Sequence, residues 1–204
     1  MKVKICGITN MDDAYSAISN GADALGFIFY PGSKRYIHPE RAKEIIDSLP
    51  FFTMKIGVFV KEVPKTVNNI ASTLGLNAVQ LHGEEGTDYL ERIKHPVIKA
   101  VRVKDFLDVE KLKMYEKYTI LLDAFSEKGY GGNGETFDWN KVPEKVMNRV
   151  ILAGGISEDN LEHVYNKIKP QAVDLSSSIE ILPGIKDHAK INSFFKKLNK
   201  LRGH

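Results

Sequence analysis

A chain of 204 residues, 43% hydrophobic and 27% charged, is long enough to bury a substantial core in one domain and has the composition of an ordinary globular protein. Its 29 basic and 26 acidic residues are interspersed, apart from a mild excess at Lys196, Lys197, Lys200 and Arg202, so no basic arm marks a nucleic-acid partner. No apolar run approaches the roughly 18 residues of a membrane span, and a single cysteine rules out both an internal disulfide framework and an all-thiolate metal site.

The chain enters strand-like alternation at once, as Met-Lys-Val-Lys-Ile-Cys, with no secretory apolar region, and a cytoplasmic location is expected. From there short apolar runs alternate with amphipathic segments. The expected strands are about Val3–Ile8, Ala24–Phe29, Met54–Val60, Ala78–His82, Val97–Val103, Tyr118–Asp123, Val150–Gly154 and Ala172–Ser176. Most are near-continuous aliphatic or β-branched runs of 4–8 residues, the pattern of parallel strands covered on both faces.

Between them lie helices with readable ends. Asn10 stands as a cap before Asp12 and Asp13, and Gly21 closes that segment. Pro39 opens the next helix. Pro64 opens another, whose Val67, Ile70, Ala71 and Leu74 form one stripe before Gly75 stops it. Ser157 is expected to cap the seventh helix. The last spans about Asp187–Leu201, with Ile191, Phe194, Phe195 and Leu198 on one side. Eight such units without a composition break predict a single-domain (β/α)₈ TIM barrel over residues 1–204. A doubly wound open sheet is the runner-up, but the turn after the first strand lacks G-x-G-x-x-G.

Barrel chemistry sits at the carboxyl ends of the strands. Two loops there exceed what connection requires, Tyr30–His38 and the glycine-rich Ala124–Asp138, and such loops are usually lids or clamps. Cys6 ends the first strand. It is read either as a small buried hydrophobe or as a reactive group, and its strand-end position favours the second over what a lone cysteine would suggest. Asp123 ends the sixth strand, where a partly desolvated carboxyl group can serve as a proton donor. Arg35, beside Lys34 in the first long loop, is either solvent-exposed or a fork for a substrate carboxylate. The turn at Gly154 and Gly155 and the serine-rich turn containing Ser177 and Ser178 follow strands 7 and 8, the recurrent phosphate position of barrels. Gln80, His82 and Asp174 are placed to line or support the pocket. The six histidines show no metal-ligand spacing, and no metal is expected.

Taken as a set, Lys4-Ile-Cys-Gly-Ile-Thr-Asn10, Gln80-Leu-His-Gly83, Leu121-Leu-Asp123, Gly131-Gly132-Asn133-Gly134 with Phe137-Asp138-Trp139, Ala153-Gly154-Gly155, and Asp174-Leu-Ser-Ser177 with Pro183-Gly184 resemble the phosphoribosylanthranilate isomerase family, collinearly along nearly the whole chain. The resemblance implies a cofactor-free Amadori rearrangement in tryptophan biosynthesis, turning N-(5-phospho-β-D-ribosyl)anthranilate into 1-(2-carboxyphenylamino)-1-deoxyribulose 5-phosphate. It implies Asp123 as general acid on the ribose ring oxygen and Cys6 as general base at C2. Arg35 would hold the anthranilate carboxylate, and Gly154, Gly155, Ser177 and Ser178 the phosphate. Expected partners are therefore the small phosphosugar substrate, with no nucleic acid or membrane, in a monomer or homodimer. Two departures stand out. Ser178 replaces the usual glycine, where it either restricts the phosphate's approach or adds a donor, and Asn133 replaces a threonine or serine. A different phosphosugar isomerase or epimerase on the same barrel, and a non-catalytic phosphate binder, are the competing readings.

Overall fold

The computed structural model describes residues 1–104, 107, 109–124, 138–139, 142–147 and 149–203. Eight parallel strands close into a barrel in sequence order: β1 (Lys2–Cys6), β2 (Ala24–Ile28), β3 (Met54–Phe59), β4 (Ala78–Leu81), β5 (Val97–Val103), β6 (Thr119–Ala124), β7 (Val150–Leu152) and β8 (Ala172–Leu175), with β8 returning to pair with β1. Each of the eight expected strands is present, its ends within two residues of the expected ones.

The helices follow their sequence signals. The side chain of Asn10 accepts a hydrogen bond from the amide of Asp13 and starts α1 (Met11–Ser19). Proline occupies the first turn of α2 (Pro39–Ser48) and of α3 (Pro64–Leu74), and Gly75 ends α3 in the left-handed conformation, at φ +61°. The next three helices, α4 (Thr87–Leu90), α5 (Val109–Lys113) and α6 (Glu144–Met147), are each only one turn or so. Then α7 (Leu161–His163) runs into a π-turn at Val164–Ile168. The longest, α8 (His188–Arg202), is capped by Asp187, whose carboxylate accepts from the amides of Ala189 and Lys190, and it buries Ile191, Phe194, Phe195 and Leu198. Each of those side chains contributes about 1.5–3 kcal/mol by leaving water. No described helix is long and apolar enough to cross a membrane.

Two features depart from the sequence-based expectation. A small antiparallel hairpin, β9 (Glu180–Leu182) and β10 (Ile185–Lys186), follows β8. The seventh helix is not capped by Ser157. The Asn160 side chain instead accepts from the Ser157 amide and donates to the Gly155 carbonyl, and this tied turn holds the chain off the helix until Leu161. The expected lid Ala124–Asp138, with Gly129, Gly131, Gly132, Asn133, Gly134 and Phe137, lies outside the described residues except for its two ends.

Core and site separate by strand parity, because alternate side chains face opposite sides of a strand. One set packs under the helices, as Val3, Ile5, Leu25, Phe27, Leu81, Leu122, Val173 and Leu175 do. The other fills the barrel with small or medium apolar groups, among them Ala24, Ile56, Ala78, Ile98, Ala100 and Leu121. Toward the mouth this inner set turns polar: Lys4 and Cys6 on β1, Gln80 followed by His82 on β4, Asp123 on β6 and Asp174 on β8 are all buried.

Candidate functional site

A cleft of about 820 Å³, open to solvent at the mouth, occupies the carboxyl end of the barrel. Cys6, Arg35, Asp123, Gly154, Gly155, Ser177 and Ser178 all line it, together with Gln80, His82 and Asp174. The residues singled out in the sequence, up to 172 positions apart (Cys6 to Ser178), therefore share one cavity.

Cys6 is buried, 6% exposed, in a charged setting. A Cβ added at Gly26 of β2 would lie 2.8 Å from Cys6 Sγ and 3.1 Å from Lys4 Nζ, so thiol and ammonium together occupy the space that a side chain there would take. Burial pushes the Cys6 thiol up, and the nearby Lys4 and Lys186 offset this only in part. Lys4 also donates to Asp174 Oδ2 at 2.8 Å. Burial works against its charge, but Asp174 and Cys6 more than compensate and hold its pKa above the usual lysine value. Burial likewise pushes the Asp174 carboxyl up, against the pull of Lys4.

Asp123 is held by three elements. Its Oδ1 accepts from the Ala124 amide at 3.0 Å, and its Oδ2 lies 3.1 Å from His82 Nε2. Behind the imidazole, Gln80 Nε2 sits 2.9 Å from His82 Nδ1, and with that amide donating, the ring proton stands on Nε2 and faces Asp123. Below them Lys99 donates to Glu85 at 2.9 Å and to the Gly83 carbonyl at 2.6 Å, which braces the loop leaving β4. Gly154 makes this packing possible, since a Cβ there would lie 2.8 Å from the Ala124 amide and 3.2 Å from Asp123 Oδ1.

Gly154 and Gly155 have φ of +82° and +67°, a run of two left-handed residues that turns successive amides inward as an anion-binding concavity does. The other wall is a 3₁₀ turn, Ser177–Ile179. Ser178 Oγ is buried there without a protein partner, so the hydroxyl is available as a further donor to the cleft. With the Ser157 cap absent, the helix that should have pointed its amino end at an anion begins six residues past Gly155, and the anion site rests on the two turns alone.

Arg35 is not the exposed loop residue that its surroundings in the sequence suggest: it is 8% exposed. Glu180 on β9 takes its Nε at 2.8 and 3.1 Å and its Nη2 at 2.6 Å, a fork on a carboxylate. The same carboxylate accepts from Lys186 Nζ at 2.8 Å, and Lys186 also donates to the Cys6 carbonyl at 2.6 Å. Burial would raise the Glu180 pKa, but Arg35 and Lys186 outweigh it and hold the carboxyl below the usual range; Lys186 itself is lowered by burial. The hairpin thus ties Arg35 to the backbone of Cys6.

Lys4, Gly26, Glu180 and Lys186 escaped the sequence reading. Parity offers a signal for Lys4, which is two residues before Cys6 and so on the same inner face. None marks the hairpin pair.

The chain matches the family model described as N-(5'phosphoribosyl)anthranilate (PRA) isomerase over residues 3–197. It is 47% identical over 201 residues, 97% of this chain and 98% of the relative, to N-(5'-phosphoribosyl)anthranilate isomerase of Thermotoga neapolitana. The crystal structure of the Thermotoga maritima phosphoribosyl anthranilate isomerase superposes with a TM-score of 0.90 at 44% identity, covering 98% of this chain and 99% of that one. A second phosphoribosyl anthranilate isomerase structure, in complex with reduced 1-(o-carboxyphenylamino)-1-deoxyribulose 5-phosphate, gives 0.87 at 42% identity, with 98% and 99% covered.

Proposed function

The chain belongs to the N-(5'-phosphoribosyl)anthranilate isomerase family, enzymes of tryptophan biosynthesis that carry out an aldose–ketose Amadori rearrangement, and on that premise we propose which of its residues perform the steps. Asp123 is the general acid and Cys6 the general base. Asp123 gives its proton to the ribose ring oxygen, and the ring opens to an iminium. The carboxylate left behind keeps the hydrogen bonds from His82 and the Ala124 amide, so its developing charge meets donors already in place.

The iminium acidifies the hydrogen at C2, which the Cys6 thiolate removes. Lys4 and Lys186 favour that thiolate electrostatically. Arg35, oriented by Glu180, binds the anthranilate carboxylate. The Gly154–Gly155 turn and the Ser177–Ser178 turn bind the phosphate, with the Ser178 hydroxyl as an added donor. Pinning the substrate at both charged ends sets C2 between the two groups, an orientation effect on the order of several kcal/mol.

The observation that carries the reading is the shared cleft: a thiol on β1, a carboxyl group on β6, an arginine fork and two anion turns line one cavity of about 820 Å³. The same proposal takes the chain as one barrel domain that works in the cytoplasm on a small phosphosugar, without nucleic-acid or membrane partners, as a monomer or homodimer. The test is a fluorescence assay of the purified protein for consumption of phosphoribosylanthranilate. Turnover lost when Cys6 or Asp123 is altered supports the assignment, and turnover unaffected by either change overturns it.

A further inference from the structure

The Lys4–Asp174 pair leaves one atom unaccounted for. Asp174 Oδ2 is taken by Lys4, whereas Oδ1 is buried and has no hydrogen-bond partner. A carboxyl oxygen out of water and without a donor is costly, so a bare one at a ligand cleft marks a place where a ligand supplies the donor. Asp174 lines the cleft with Cys6 and Asp123. Three other buried side-chain atoms among the described residues share this lack of a partner. Trp139 Nε1 does not border the cleft, Ser178 Oγ belongs to the anion turn, and Gln80 Oε1 is on an amide already engaged with His82. Of these four, only Asp174 presents a bare carboxyl acceptor among the reacting groups.

The chemistry of the occupant follows from charge. A carboxyl group paired with Lys4 repels the two anionic ends of the substrate, so what lies against Oδ1 is the uncharged middle, whose only strong donors are sugar hydroxyls. Ser177 and Ser178 follow Asp174 by three and four residues and rise toward the mouth, so a phosphate held there leaves the carbon chain descending toward Asp174 and Cys6. We infer that Asp174 is a substrate-binding residue whose Oδ1 accepts a hydrogen bond from a sugar hydroxyl beside the reacting carbon, at C2 or C3 of the open-chain phosphosugar. The inference rests on the reading that this cleft holds that phosphosugar. It makes the site selective for a polyol chain over a deoxygenated one, because a deoxy ligand leaves the buried oxygen bare.

The test uses the reduced open-chain product analogue and its 2-deoxy and 3-deoxy counterparts, titrated calorimetrically into the unaltered protein and into the double variant Lys4→Met/Asp174→Leu. Removing the pair together avoids a stranded buried charge. The unaltered protein is expected to bind one deoxy analogue about ten- to a hundredfold more weakly than the parent analogue, the usual worth of a hydrogen bond to a carboxylate. In the double variant parent and deoxy analogues bind alike. Equal binding of all three by the unaltered protein overturns the inference, as does a deoxy penalty that persists in the double variant; the first of these needs no variant to fold. Failure of the parent analogue to bind at all sinks the reading of the cleft itself, and this inference with it.

Discussion

Gly26→Ala asks whether the Cys6 sulfur must sit where it does. The new methyl carbon would stand 2.8 Å from Sγ, 3.1 Å from Lys4 Nζ and 3.2 Å from the α-carbon of Cys6. Ordinary nonbonded separation is about 3.5–4.0 Å, so the sulfur has to withdraw by roughly an ångström, while the Cys6 backbone is part of the barrel wall and yields little. Misplacing a reacting group by that much costs about a hundredfold in rate, equivalent to about 2.7 kcal/mol. Overpacking adds about 1–3 kcal/mol to the unfolding balance. The φ of Gly26 lies outside the left-handed region, so alanine meets no backbone penalty there and the effect is steric. Steady-state turnover, read by loss of substrate fluorescence on protein shown folded by its unfolding curve, is expected to fall about a hundredfold. The product analogue should still bind, since Arg35 and the anion turns are untouched. A kcat within threefold of the parent enzyme would refute the reasoning, because the base would then have tolerated displacement.

Two further outcomes follow from the electrostatics. The Cys6 pKa is raised by burial, and the thiolate is the active form, so below that value its fraction grows tenfold per pH unit; kcat/KM is expected to climb with a logarithmic slope near one between about pH 6.5 and 8.5. A plateau already reached at neutrality, with chemistry rate-limiting, contradicts this. Glu180→Gln removes the partner of Arg35 and Lys186, and is expected to raise KM about tenfold with less effect on kcat, and to destabilise by about 3–5 kcal/mol at neutral pH. The Glu180 pKa is depressed in the folded state, so its contribution is present above the unfolded carboxyl value and disappears as pH falls through the folded one. Urea unfolding should therefore separate parent and variant at pH 6 and bring them together under acid; a constant difference between them counts against the ionic role.

How far the sequence could be read depended on whether the signal was local. Runs such as Ile120–Leu122 announce strands covered on both faces, and Asn10, Pro64 and Gly75 mark helix ends through their own backbone chemistry. Cys6 and Asp123 were legible because each closes a strand, which in a barrel fixes the end of the fold on which it stands. What could not be read is set by distance and by chance of register. Lys4 and Asp174 meet across 170 residues, and Arg35 and Glu180 across 145, through pairings that no local pattern encodes. Ser157 misled because a serine before two acids fits a cap, and only in the folded chain does Asn160 take its amide. Arg35 looked like a surface residue until a hairpin of two very short strands placed Glu180 against it.

The central claim is that a thiolate and a carboxyl group divide one proton-transfer reaction in a cleft that other residues hold in shape. Its most direct measurement is turnover of Cys6→Ala and of Asp123→Asn, set beside the dissociation constant of the reduced product analogue for each. Both variants are expected to lose turnover to background while keeping that constant within about tenfold of the parent, because acid and base act mainly in the transition state. Normal turnover in either variant, or turnover and analogue affinity lost in equal proportion, would contradict the account.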